Sequence, residues 1–134
     1  MNKSIYFSGA PIGELSKSFL GIPGVITVRD GFLNGKSAFP TLEDVTSNKS
    51  GHAIGVKVTY DPKEVSVKTL TNIYLKAIEP LKSTNSICYK KAICYEDFLD
   101  GVEAEATIRE SSSLQKGILI RKTCNFYPYS KLGK

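Results

Sequence analysis

Three cysteines, one histidine and two short basic pairs are the groups of this 134-residue chain whose types and spacing could support chemistry. The thiols are Cys88, Cys94 and Cys124. A cysteine becomes a nucleophile where nearby positive charge lowers its pKa. Cys88 precedes Tyr89, Lys90 and Lys91, and Cys124 follows Lys122 by two residues, so each has a cation near it in the chain. A redox pair of Cys88 and Cys124 is one reading; two unrelated thiols fit the spacing as well. Cys94 lies inside the apolar run Lys91 to Tyr95 and reads as an inert buried thiol. The cysteine spacings give neither a CxxC nor a zinc pattern, and His52 is the sole histidine, so no metal is expected. His52 stands at the start of a strand pattern, where a structural role is favoured over acid-base work.

The elements that must position these groups follow from periodicity. Ser50 to Pro62 (SGHAIGVKVTYDP) alternates, with Ile54, Val56, Val58 and Tyr60 on one face and Gly55, Lys57 and Thr59 on the other. That is a strand with one face on a core, stopped by Pro62, and it is expected at the centre of the sheet. Ser4 to Ser8 is a second strand, opening onto Gly9. Ile12, Leu15, Phe19 and Ile22 have helical spacing, ended by Pro23-Gly24. Val25 to Arg29 alternates, and the glycines of Gly31 to Gly35 then predict a loop. Pro40 to Val45 predicts a short helix capped by Thr41, and Asp61 reads as turn chemistry before Pro62. Ser66 caps a helix to Ile78, and Glu79-Pro80 breaks it; Leu81 to Tyr89 is a loop and Lys91 to Tyr95 a core strand. Glu96 to Glu110 is a helix with Phe98, Val102 and Ala106 on its apolar stripe, followed by a turn over 111–116. Ile118 to Ile120 and Cys124 to Tyr127 read as an edge strand and its continuation. Strands alternating with helices give a two-layer α+β domain, a mixed sheet packed by helices, over residues 1–134.

Bulk properties exclude several classes. Apolar residues at 41% and charged residues at 23% are ordinary for a soluble globular chain. No apolar run is long enough to span a bilayer, and the first residues are too weakly apolar for a signal peptide, so a cytoplasmic protein is expected. The net charge of +5 raises the question of nucleic acid. The lysines are scattered, however, and the pairs Lys90–Lys91 and Arg121–Lys122 match no nucleic-acid motif; a solvated basic surface is the simpler reading.

Several stretches together resemble the A-type peptide methionine sulfoxide reductases. Gly51-His52-Ala53 with a strand closing on Tyr60-Asp61-Pro62 is similar to that family's Gly-His-Ala-Glu block. Phe19 with Ile22 to Val25, Gly31 to Gly35, Pro40 to Val45, Glu79-Pro80, Tyr89 to Ile93 and Phe126-Tyr127-Pro128 resemble its other blocks, in order. The resemblance implies that family's fold. It also implies a chemistry: a cysteine attacks the sulfoxide sulfur, a glutamate with tyrosines supplies a proton, and a second thiol resolves the sulfenic acid.

This chain departs from the pattern where that chemistry resides. The Gly-Cys-Phe-Trp-Gly of the family is Gly9-Ala10-Pro11-Ile12-Gly13, so the nucleophile position is Ala10 or Pro11. Ile54 replaces the glutamate, Phe32 replaces the loop tyrosine, and the loop aspartate corresponds to Thr84. Tyr89 is retained. The vestigial site is therefore Ala10, Pro11, Ile12, Phe32, Ile54 and Tyr89, with no catalytic set intact and no cofactor expected. Three functions stay open. One is a binding protein for methionine or methionine sulfoxide in other proteins, without reductase chemistry. Another is a thiol reductase with its nucleophile relocated to Cys88 or Cys124, which alone would imply thioredoxin as partner. The third is a small basic module for anions or nucleic acid.

Overall fold

The computed structural model describes residues 2–34, 40–47, 51–81, 87–111, 117–122 and 125–129. Its strands are β1 (Lys3–Ser8), β2 (Val25–Leu33), β3 (Ala53–Tyr60), β4 (Ala92–Tyr95), β5 (Leu119–Lys122) and β6 (Phe126–Pro128). They form one sheet in the order β5-β4-β1-β3-β2-β6. The pair β4/β5 is parallel and the other pairs are antiparallel, so the sheet is mixed. β3 is interior, flanked by β1 and β2, as its alternation demands.

One face of the sheet carries the main core. Ile5 and Phe7 of β1 stand opposite Val58 and Val56 of β3, and Phe7 stands opposite Ile93 of β4. Helices α1 (Glu14–Phe19), α3 (Val67–Ile78) and α4 (Phe98–Glu110) contribute Leu15, Phe19, Leu70, Tyr74, Ile78 and Ala104 to the same cluster. Phe7 stacks on Phe19 at 5.0 Å and tilts against Tyr74 at 4.9 Å, while Tyr74 Oη donates to Ser8 O at 2.7 Å. Burying each such side chain contributes roughly 1.5–3 kcal/mol, which explains why these elements meet here. On the opposite face Tyr6, Leu33 and Cys94 form a smaller cluster with Phe126.

The helix α2 (Leu42–Thr46) has the cap expected of it: Thr41 Oγ1 accepts from Asp44 N and Asp44 accepts from Thr41 N, both at 3.1 Å. Ser66 caps α3 through Thr69 N. Asp61 accepts from Lys63 N at 2.9 Å, the turn role its place before Pro62 predicts.

Several expectations are corrected. α1 is shorter than the Ile12–Ile22 spacing predicts, because Leu20 is already extended and Gly21, at φ +81°, turns the chain. β2 continues through Gly31, Phe32 and Leu33, which were expected in a loop. There Gly31 lies opposite Gly55 and Pro128, and a Cβ on it would come 2.6 Å from Tyr127 O. The glycine serves close strand approach, not a turn. A single 3₁₀ turn (Ile87–Tyr89) occurs within the stretch expected to be a loop. β5 and β6 are not continuous: they occupy opposite edges of the sheet. The turn expected over 111–116 lies outside the described residues, apart from position 111.

α4 departs furthest from its sequence pattern. Phe98 and Val102 are 68% and 48% exposed, and the buried positions are Asp100, Gly101, Ala104 and Thr107. The cause is polar. Asp100 accepts from Tyr60 Oη at 2.5 Å and from Lys3 Nζ at 2.8 Å, and Lys3 also pairs with Asp97 at 2.7 Å. Gly101 lets the helix close on the Tyr95 ring. A buried carboxylate held by two donors outweighs an apolar stripe.

Candidate functional site

The residues singled out in the sequence are positioned by the end of β1 and the middle of the sheet. As the chain leaves β1, Gly9 takes φ +122° and donates its N–H to Ile54 O at 3.1 Å. A Cβ there would lie 2.7 Å from Lys91 Cγ, so the strand exit depends on glycine. Ala10 follows at 1% exposure and packs with the main core; Pro11 is exposed. Pro11 O accepts from Glu14 N at 3.1 Å, and Gly13, at φ +87°, leads into α1 without a side-chain cap.

The other candidates meet in a second cluster. Ile54, 2% exposed, stands opposite Phe32 in the β3/β2 register, and Phe32 stands opposite Tyr127 in the β2/β6 register. These three side chains therefore form a row across the sheet. Cys88, 1% exposed, belongs to the same buried group with Val45 of α2, and Ile12, Leu42, Tyr89, Tyr127 and Tyr129 pack against it. Phe32 meets Tyr129 edge-on at 6.0 Å, and His52 meets Tyr127 edge-on at 5.4 Å. His52 is buried at the entry to β3, against an aromatic ring.

The structure thus brings together Ile12, Phe32, Ile54, Cys88 and Tyr89, and puts Ala10 in the neighbouring core and Pro11 at the surface. Cys124 and Thr84 lie outside the described residues. Cys94 is fully buried on the other face, where Asn34 Nδ2 donates to its sulfur at 3.5 Å. Tyr127, Tyr129, Leu42 and Val45 were not singled out as site residues. The signal for the tyrosines was present, since Tyr127 and Tyr129 are two apart in a strand-like tail and so share a side.

Chemically this cluster is apolar and aromatic, with one thiol in it. Its buried members are Phe32, Val45, Ile54 and Cys88, so no buried carboxyl stands among them to deliver a proton. Its side chains are of the kind that pack against a methyl or thioether, since thioether sulfur packs well against aromatic edges. Among the described residues no group of His, Cys, Asp or Glu could hold a metal, and no helix is long and apolar enough to cross a membrane.

A family model for peptide methionine sulfoxide reductase matches residues 3–130. The peptide methionine sulfoxide reductase MsrA of Lachnoclostridium phytofermentans is 32% identical over 105 residues, covering 75% of this chain and 63% of that protein. MsrA 2 of Staphylococcus aureus is 30% identical over 122 residues, covering 84% and 69%. The chain thus spans less than two thirds of the length of the first of these relatives. Methionine sulfoxide reductase A of Corynebacterium diphtheriae superposes with a TM-score of 0.79 at 19% identity, covering 96% of this chain and 70% of that one. Mxr1 of Saccharomyces cerevisiae, solved in complex with Trx2, superposes with a TM-score of 0.59 at 17% identity, covering 98% and 84%. At these identities the structural likeness is one of fold: an α+β domain built on a mixed sheet.

Proposed function

We propose, from the premise that this chain belongs to the peptide methionine sulfoxide reductase family, that it binds methionine or methionine sulfoxide side chains of other proteins without reducing them. The observation that carries this reading is the packing of Ile54 against Phe32 in a buried cluster that keeps Tyr89 and Ile12 at its edge. At position 54 the family resemblance calls for the proton donor, and an alkyl group cannot serve. At position 10 it calls for the thiol, and Ala10 is a buried methyl. A general acid contributes about 10²–10⁴-fold, and losing the covalent route costs more, so turnover by the family's mechanism is lost. The apolar and aromatic side chains of the cluster, by contrast, are still of the kind that holds the substrate's methyl group. The reading treats residues 1–134 as one domain working in a reducing compartment such as the cytoplasm.

The test is a pair of measurements on the purified chain. With dithiothreitol as reductant, methionine sulfoxide in a peptide is expected to persist unreduced. In an NMR titration the same peptide is expected to shift resonances of Ile12, Phe32, Ile54 and Tyr89 saturably. Turnover would overturn the claim of inactivity, and unmoved resonances would overturn the claim of binding.

A second reading has its own observation: Cys88 belongs to the same cluster as Ile54 and Phe32. In that case the Cys88 thiolate attacks the sulfoxide sulfur and, with a proton taken from solvent, keeps its oxygen as a sulfenic acid while methionine leaves as the thioether. Two dithiothreitol thiols then return the cysteine, with loss of water. This reading requires turnover that disappears in Cys88→Ser, and it alone would bring thioredoxin in as a partner. Access is a requirement it shares with the first reading, because Cys88, Ile54 and Phe32 are all buried.

A further inference from the structure

One residue from each of the two basic pairs, which are far apart in the sequence, lines the same cavity beside the parallel strands β4 and β5. Lys90 immediately precedes Lys91 and β4, and Arg121 of β5 stands opposite Cys94. The Lys90–Lys91 pair is also split by the fold. The Lys91 side chain is buried beside Gly9 and donates to Leu81 O at 3.4 Å, whereas Lys90 is exposed. Lys90 and Arg121 then line one cavity of about 270 Å³ with Ser8, Ala53, Ala92 and Leu119.

This cavity is distinct from the cluster around Ile54. Ala53 lines it and Ile54 does not, and neighbouring residues of one strand point to opposite faces. Its position is tied down by Ser8 Oγ, which donates to Lys90 O at 2.8 Å and so joins the end of β1 to the segment entering β4. Leu33, Ala53, Ala92 and Leu119 make its walls apolar. No acidic side chain lines it, and the Glu96 carboxylate is held by Tyr6 Oη.

We propose that this cavity binds a small organic phosphate, with its dianionic head on Arg121 and Lys90 and a short apolar body against Leu33, Ala53 and Leu119. Two cations lining one partly enclosed space favour an anion of matching charge there. A guanidinium presents a planar fork that matches a phosphate with two parallel hydrogen bonds, and the ammonium adds a point charge. The volume lies just below the usual range of small-molecule sites, which limits the body to about one ring. The alternating aliphatic walls give that ring a surface that inorganic phosphate would not use.

The experiment is calorimetric titration of the full chain with phenyl phosphate, with inorganic phosphate and benzoate for comparison. Saturable binding of phenyl phosphate is expected, several-fold tighter than either comparison compound. Arg121→Ala and Lys90→Ala should each weaken it by about tenfold or more, since charged hydrogen bonds are lost. Both side chains are exposed, so both variants should fold, which circular dichroism checks. Leu119→Ala should weaken phenyl phosphate a few-fold and leave inorganic phosphate unchanged. Lys57→Ala, removing a charge on the same sheet face that does not line the cavity, should change neither. The proposal is overturned if phenyl phosphate does not saturate, if Lys57→Ala weakens binding as much as Arg121→Ala, or if benzoate binds as tightly as the phosphate.

Discussion

A carboxyl placed at the buried position 54 would make the stability of the chain depend on pH. Its neighbours Phe32, Val45 and Cys88 offer no cation, so a glutamate at 54 would be pushed towards its neutral form and its pKa raised. A raised carboxyl pKa means the folded chain keeps a proton that the unfolded chain releases above about pH 4.3. The variant Ile54→Glu is therefore expected to be least impaired near pH 4 and to lose stability as pH rises. The loss is about 1.4 kcal/mol for each unit of upward shift, until the folded pKa is passed. Urea unfolding at pH 4.5 and pH 8 measures this, and equal penalties at both would show that the site is wetter than its burial implies. A neutral buried acid is also what proton delivery to a sulfoxide oxygen requires. The double variant Ala10→Cys/Ile54→Glu should accordingly show slow dithiothreitol-dependent reduction of a methionine sulfoxide peptide, absent in Ala10→Ser/Ile54→Glu. A folded double variant without activity would mean that position 10 is not the nucleophile position.

Among the elements, α4 shows how a helix can choose its polar side. Asp100 holds Tyr60 and Lys3, whereas Phe98 and Leu99 are 68% and 69% exposed. Asp100→Ala is expected to cost about 3 kcal/mol, because two donors lose a charged acceptor at a buried position. Phe98→Ala should stay within about 0.5 kcal/mol of the parent. Urea midpoints decide; a larger loss at Phe98 would mean that the apolar stripe packs after all. The contrast also shows what the sequence could and could not convey. Where burial follows alternation or spacing alone, as in β3 with Ile54, Val56 and Val58 or α3 with Leu70, Tyr74 and Ile78, the pattern is enough. α4 is buried through contacts with residues at positions 3, 60 and 95, and nothing within residues 96–110 announces them. The same holds for Gly31, whose glycine looks like a turn locally and serves the pairing of β2 with β3 and β6. At the site, the grouping of Phe32 with Ile54 follows from strand register, and Cys88 joins them only because of the 3₁₀ turn that precedes β4.

For the whole molecule, four buried or half-buried protonated groups act in the same direction with pH. Burial, then the hydrogen bond to Asp100, raises the Tyr60 phenol far above its ordinary 10.0. Burial, then the hydrogen bond to Glu96, does the same for Tyr6, and burial does so for Tyr74. Lys3 is raised above 10.5, first by its hydrogen bond to Asp100 and then by that to Asp97. In each case the folded chain holds a proton that the unfolded chain gives up near pH 10, so the stabilisation is complete below that pH and is lost above it. The groups are spread over β1, β3 and α3, so the loss should be global and not confined to one edge. On the acid side Asp97 is lowered by its hydrogen bond to Lys3, so its contribution is present above 3.8 and fades as pH falls. With 42% of its side chain exposed, that aspartate is screened by solvent, so the acid limb should be shallow. Stability is therefore expected to be nearly level from pH 6 to 9.5 and then to fall by about 4 kcal/mol per pH unit from the three tyrosines, each contributing about 1.4, with a smaller share from the more exposed Lys3. Urea midpoints measured between pH 6 and 11.5 test this. Tyr60→Phe should be less stable at neutral pH, since Asp100 loses a donor, yet decline less steeply above pH 10 by one group's share. A parent chain whose midpoint does not move between pH 9.5 and 11.5, or a Tyr60→Phe variant with an unchanged slope, would show that these phenols are not held protonated by the fold.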